Sequence, residues 1–151
     1  MTTMTRESSF SVQTRLDFQC CLDLLRECLR CEGFRVAAEI CFDREFKKNV
    51  GLAWQRYTVL VVWSPFYAYQ ALLSDRDGGL IVPFNLVVAE DDASTMLIAT
   101  NHGSSQRVDG PIGLQVLLRE INRKIRQIFL HVGEHELGSN RGTMLSDARE
   151  A

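Results

Sequence analysis

The stretch GGLIVPFNLVVAED, Gly78 to Asp91, constrains this chain more than any other. It reads as a β-strand from about Leu80 to Glu90, yet it holds a proline and is apolar on both of its alternating phases. Proline lacks the N–H that a ladder needs, so it belongs at a strand start, an edge or a bulge. Apolar residues at successive positions mean that neither face of the strand is given over to water. RYTVLVVW and TMLIATN share this property. A sheet built from the three segments needs a cover on both sides.

The remaining segments supply one cover. SSFSVQ, Ser8 to Gln13, alternates as a first strand, and Thr14 with Asp17 three residues on resembles a capping box opening a helix. Phe18, Leu22, Leu25 and Leu29 then form one stripe bordered by Cys21 and Cys28, and Gly33 is the natural stop. FRVAAEICF changes the period to two, with Phe34, Val36, Ala38, Ile40 and Phe42 on one side and Arg35, Ala37, Glu39 and Cys41 on the other. DREFKKNVG gives a short helical turn and a surface loop before RYTVLVVW, the third strand. Ser64-Pro65 starts a second main helix, PFYAYQALLSD, which RDGG breaks.

Strand four is the opening stretch, and Asp91-Asp92 turns it into TMLIATN as a hairpin partner. HGSSQRVDGPIG reads as a loop. From about Pro111 the last helix places Leu114, Leu117, Leu118, Ile121, Ile125 and Ile128 on one face. The expected fold class is α+β: a mostly antiparallel sheet of about five strands in β-α-β-β-α-β-β-α order, with helices packed on one face. Residues 1–132 form a single domain in this reading, and the polar stretch 133–151 a disordered C-terminal tail. Helices on one face leave the other apolar face open.

Charge and cysteine usage narrow the function classes. A formal charge of −2 lacks the electropositive excess that drives phosphate-backbone binding, so nucleic acid is not an expected partner. No apolar run approaches a membrane span, MTTMTRESSF lacks a signal-peptide core, and the expected location is cytoplasmic. Four of the five cysteines crowd into one short segment, which suits reduced thiols better than a disulfide framework.

EGFRVAAEI after the first helix, SPFYAYQALLSD, and the Gly-rich, Pro-containing GGLIVPFNLVVAED together resemble the bacterial domain-of-unknown-function family 302. The resemblance runs from Phe10 to about His102 and implies an α+β fold of the TATA-binding-protein-like type, with no established activity. Many members carry a cysteine after the strand proline and another before an Asn-Pro pair, where this chain has Phe84 and Trp63-Ser64-Pro65. Any chemistry resting on those thiols is lost here, and fold likeness to a DNA-binding protein does not transfer DNA binding.

Candidate chemistry is sparse. Cys28 and Cys31 make a C-x-x-C without a second pair to close a zinc shell, and with Cys20 and Cys21 they read as small hydrophobes at a helix border. His131 and His135 have one-face helical spacing, but Gly133 between them is where the helix is expected to stop; His102 reads as a solvated loop residue. No metal or cofactor is expected. Arg119, Arg123, Lys124 and Arg126 read as a solvated helix face. Glu39, Trp63, Tyr67 and Asn85 are the residues expected to converge on a ligand pocket. The expected function is a non-enzymatic, homodimeric small-ligand or interaction module, the alternative being a small-molecule enzyme with Glu39 as acid or base.

Overall fold

Strands β1 (Thr2–Thr5), β2 (Ser9–Thr14), β3 (Arg35–Cys41), β4 (Tyr57–Trp63), β5 (Phe84–Asp91) and β6 (Ser94–Thr100) form one antiparallel sheet in the order β1-β2-β6-β5-β4-β3. The helices are α1 (Phe18–Cys31), α2 (Phe42–Asn49), α3 (Pro65–Ser74) and α4 (Ile112–Thr143), with a 3-10 turn at Arg76–Leu80. This computed structural model describes residues 1–6, 8–101 and 111–143, with side chains through residue 135. The α+β class is as expected, with one more strand. β1 has no buried residue and pairs on one side alone, so its TTMT carries no apolar alternation to read.

The ends of α1 follow from local chemistry. Asp17, not Thr14, is the N-cap: its carboxylate accepts from the backbone N–H groups of Gln19 at 3.0 Å and Cys20 at 3.3 Å. Gly33 takes the left-handed conformation at φ 81°, and Gly33 N–H donates to Arg30 O while Phe34 N–H donates to Leu29 O, closing a Schellman motif.

Pro83 is not in the ladder. Strand β5 begins at Phe84, after a turn in which Ile81 and Val82 N–H groups donate to Gly78 O, so no ladder bond is lost at the proline. The hairpin turn falls at Asp92-Ala93, since Asp91 pairs with Ser94 and Asp92 holds φ 49°.

One face of the sheet is the core. Val12, Leu97, Val88, Leu60, Leu86 and Val62 are at most 1 % exposed and pack against the stripes of α1 and α4, including Leu25, Leu29 and Phe129. Burial of each such side chain stabilises by about 1.5–3 kcal/mol. α3 lies antiparallel beside α4, since Gly113 abuts Ser74 and the Tyr67 hydroxyl reaches Glu120.

The helix expected to end at Gly133 continues through Thr143. Gly133 is buried, and a Cβ there would press on the Met1 side chain and lie 3.0 Å from Val12 Cγ1, so the glycine admits strand β2 rather than stopping the helix. The remaining tail, 144–151, lies outside the described residues, as does His102.

Candidate functional site

Arg35 to Cys41 carry one extra residue relative to their partner strand. The register steps from Val36↔Val62 to Ala38↔Val61, a bulge at Ala37, so the side chains after it exchange faces. Glu39 pairs with Leu60 and joins the helix side; Ala38 and Ile40 pair with Val61 and Val59 on the open side. This reverses the expected phase of the strand beyond Ala37.

Glu39 therefore faces α1, where its oxygens accept from Arg26 Nε and Nη2, both at 2.6 Å. Arg26 also reaches Asp23 at 2.7 Å, and these carboxylates hold its guanidinium above the ordinary arginine range. Both Glu39 oxygens are occupied, which makes it an ion-pair partner tying β3 to α1. Tyr67 is 4 % exposed, packs its ring 5.7 Å from Phe34, and has its hydroxyl 3.2 Å from Glu120 Oε1. Burial raises its pKa, with Lys124 opposing. Asn85 pairs with Val61 on the open side and is exposed, and Trp63 shares the phase of Val61 at the end of β4. The sheet lies between Glu39 and Tyr67 on one side and Asn85 on the other, while Trp63, half-buried at the strand end, packs against the core that holds Tyr67; the four do not converge on one pocket.

A different concavity forms where α1 crosses α4. Leu24, Cys28 and Ile128 give it an apolar lining, and Glu27, Cys31, Glu32, Lys124, Gln127 and His131 line it with polar atoms around a cavity of about 440 Å³. Glu32 faces Lys124 at 3.8 Å, and Cys31 Sγ donates to Glu27 Oε1 at 3.6 Å. Burial raises the Cys28 pKa, helped by Cys31, Glu27 and Glu32, so the thiol is held protonated and disfavoured as a nucleophile. His131 stacks edge-on to His135 at 4.9 Å. Among the described residues no three His, Cys, Asp or Glu side chains are grouped to hold a metal ion.

The groove brings together residues that the sequence presents as separate, the C-x-x-C of Cys28 and Cys31 and, from the histidine pair, His131. Its signal was the border position of Cys28 on α1, opposite the stretch of α4 from Lys124 to His131. Of the basic residues on α4, Arg126 lies 4.4 Å over the Phe10 ring and donates to Asn101 at 2.9 Å, so it is not a freely solvated charge.

Deep burial, then Asp17 and Cys20, pushes the Cys21 thiol up to about 12 from an ordinary 9.0. The folded state holds this proton more tightly than the unfolded chain, so the contribution is fully present below about pH 9 and is lost as pH rises toward 12. Cys28 and Tyr67 act in the same direction. Urea melts should lose up to about 1.4 kcal/mol per pH unit between pH 9 and 12 through Cys21, and Cys21→Ala should start less stable but show a shallower slope. Equal slopes in both proteins would refute the assignment.

The architecture is that of a small α+β domain: one antiparallel sheet, α1 and α4 packed on one face, a helix-lined groove, and a second face whose end at Tyr57 meets Phe42 of α2. The model of the family described as domain of unknown function DUF302 matches residues 10–132, and the chain belongs to that family. Its fold is similar to that of the crystal structure of an uncharacterized conserved DUF302 protein from Bacillus stearothermophilus, with a TM-score of 0.74 and 18 % identity, over 82 % of this chain and 97 % of that one. No curated protein matches the chain. No described helix is long and apolar enough to cross a membrane.

Proposed function

We propose that the chain is a non-enzymatic homodimeric binding module whose two copies meet through the open face of the sheet. The observation that carries this is a single transverse row. Ile40, Val59, Val87 and Ile98 lie side by side across β3, β4, β5 and β6 on the face away from α1 and α4. Ala38 and Val61 flank the row on one side and Ala89 and Met96 on the other, while β2 contributes Ser11 and Gln13 at its border. An apolar centre with a polar rim is the anatomy of a protein interface; Ile40 is exposed and Val87 and Ile98 are half-buried, while Val59 in the middle of the row is already 7 % exposed within the single chain.

A two-fold contact of standard size buries about 1,600 Å² in total, within reach of a face spanning four strands. The small-ligand part of the reading falls to the α1–α4 groove, whose volume of about 440 Å³ suits a metabolite-sized molecule. With the thiol of Cys28 protonated and both Glu39 oxygens engaged, binding is favoured over catalysis.

Light scattering on the purified protein at tens of micromolar should give a mass of at least two copies. Val87→Glu, on the open face, should remove this contact while retaining the far-UV spectrum of the wild type. A wild type that is monomeric, or a Val87→Glu protein that keeps the full mass, would reject the sheet face as the interface.

A further inference from the structure

The ten residues of α3, PFYAYQALLS, contain no charged side chain. A helix apolar around its circumference is ordinarily buried around its circumference. Here only Tyr67 and Ala71 are buried, while Phe66, Tyr69, Leu72 and Leu73 stand 57–69 % exposed. These four fall at i, i+3, i+6 and i+7, which makes them one stripe on the side of α3 turned from the core. Beside the stripe, where Gly113 abuts Ser74, the first turns of α4 add Ile112 at 79 % and Val116 at 55 % exposure.

From this arrangement we infer a second docking surface, independent of the sheet face, whose occupant is α3 of another copy of the same chain. Area and charge both point to a like partner. The six residues, each more than half exposed, leave an apolar surface that approaches the roughly 800 Å² each partner contributes to a standard stable interface. Charges are absent from the centre of the stripe, and aromatic residues are enriched there, as in the buried core of an interface. At its margin both signs occur: Asp75, Arg76 and Asp77 follow α3, and Arg119 and Glu120 follow Val116 on α4. A border of mixed sign offers little to a strongly acidic or basic partner and is self-complementary under a two-fold axis. Setting α3 antiparallel against its copy brings Asp75 and Asp77 toward the other helix's N-terminus, the positive end of its dipole.

With the sheet face and the α3 face each closing on a copy, the assembly exceeds a dimer. The test is a set of four proteins measured by light scattering at the same concentration: wild type, Leu73→Glu, Val87→Glu, and the double variant. Leu73 is 69 % exposed, so the substitution leaves the monomer fold intact, and Tyr69→Glu at 64 % exposure serves as the second probe of the stripe. The expected masses are more than two copies for the wild type, two for each single variant, and one for the double. If Leu73→Glu and Tyr69→Glu both keep the wild-type mass, the α3 contact is wrong. If instead Val87→Glu keeps the wild-type mass while Leu73→Glu lowers it, the α3 contact stands and the sheet-face contact fails.

Discussion

Val88→Glu is expected to abolish folding, whereas the same change one residue earlier is expected to leave a folded chain. Val88 is 0 % exposed and lies between Thr58 on β4 and Leu97 on β6, beneath the helices. A carboxylate there would lose water and gain no partner. That places the substitution among the changes costing more than about 4–5 kcal/mol, most or all of the 5–15 kcal/mol that holds a domain together. Val87 pairs with Val59 and Ile98 on the open face, where a carboxylate in the isolated chain stays in contact with water. Circular dichroism and thermal melts separate the two: Val88→Glu should show no cooperative transition, and Val87→Glu a cooperative one, lowered from the wild type by the loss of association and independent of protein concentration through that face. A cooperative, native-like melt for Val88→Glu would mean that the phase of β5 is reversed.

This pair also marks how far a sequence of this kind can be read. Apolar residues on both phases of β4, β5 and β6 declare that both faces need covering, but periodicity alone cannot say which phase meets the helices; that depends on where α1 and α4 dock. α1 was legible at almost every position, because an N-cap donor-acceptor pair, a 3.6-residue stripe and a left-handed glycine all agree. Its cap shifted from Thr14 to Asp17 because both are good capping types within one turn. Ala37 was not legible as a bulge. An extra residue in a strand leaves no mark in residue type when its neighbours are small and apolar, yet it carries Glu39 to the face opposite Asn85. The expected pocket of Glu39, Trp63, Tyr67 and Asn85 came apart twice over: the bulge moves Glu39 off the face of Asn85, and the docking of α3 puts Tyr67 in the helix-side core.

Gly133 was ambiguous for a related reason. Glycine ends helices through its freedom at positive φ, and it admits close neighbours through its missing side chain. The close approach of Met1 and of Val12, the latter 3.0 Å from the absent Cβ, distinguishes these roles. Reading it as a stop truncated α4; the α1–α4 groove was hidden for another reason, since its α4 residues all precede Gly133 and its thiols and imidazole come from segments a hundred residues apart that only helix docking brings together. Pro83 was placed within the strand by its apolar neighbours, although the preceding turn from Gly78 already satisfies the local backbone.

Gly78→Ala is the other substitution with a large expected effect, and it reports on the seating of α3. Gly78 is buried in the 3-10 turn behind α3, and a Cβ there would lie 2.6 Å from the carbonyl carbon and oxygen of Ala71 and 2.9 Å from its Cβ. These are backbone and first side-chain atoms, which cannot swing aside as the end of a long side chain would. Ala71 is itself 0 % exposed and cannot yield inward without disturbing Tyr67 and the α4 contact. The turn or the helix must move as a unit, a form of overpacking that costs roughly 3 kcal/mol and lowers Tm by roughly 5–10 °C in a chain of this size. Gly79→Ala is the matched control: nothing lies within 4 Å of its Cβ position and its φ is not in the left-handed range, so the change should be neutral or slightly stabilising. Because α3 carries Phe66, Tyr69, Leu72 and Leu73 on its outer stripe, displacing it should also weaken self-association through that surface, which Gly79→Ala leaves untouched. Calorimetric melts of the two variants decide the packing claim: equal Tm values would mean that α3 is not held against Gly78.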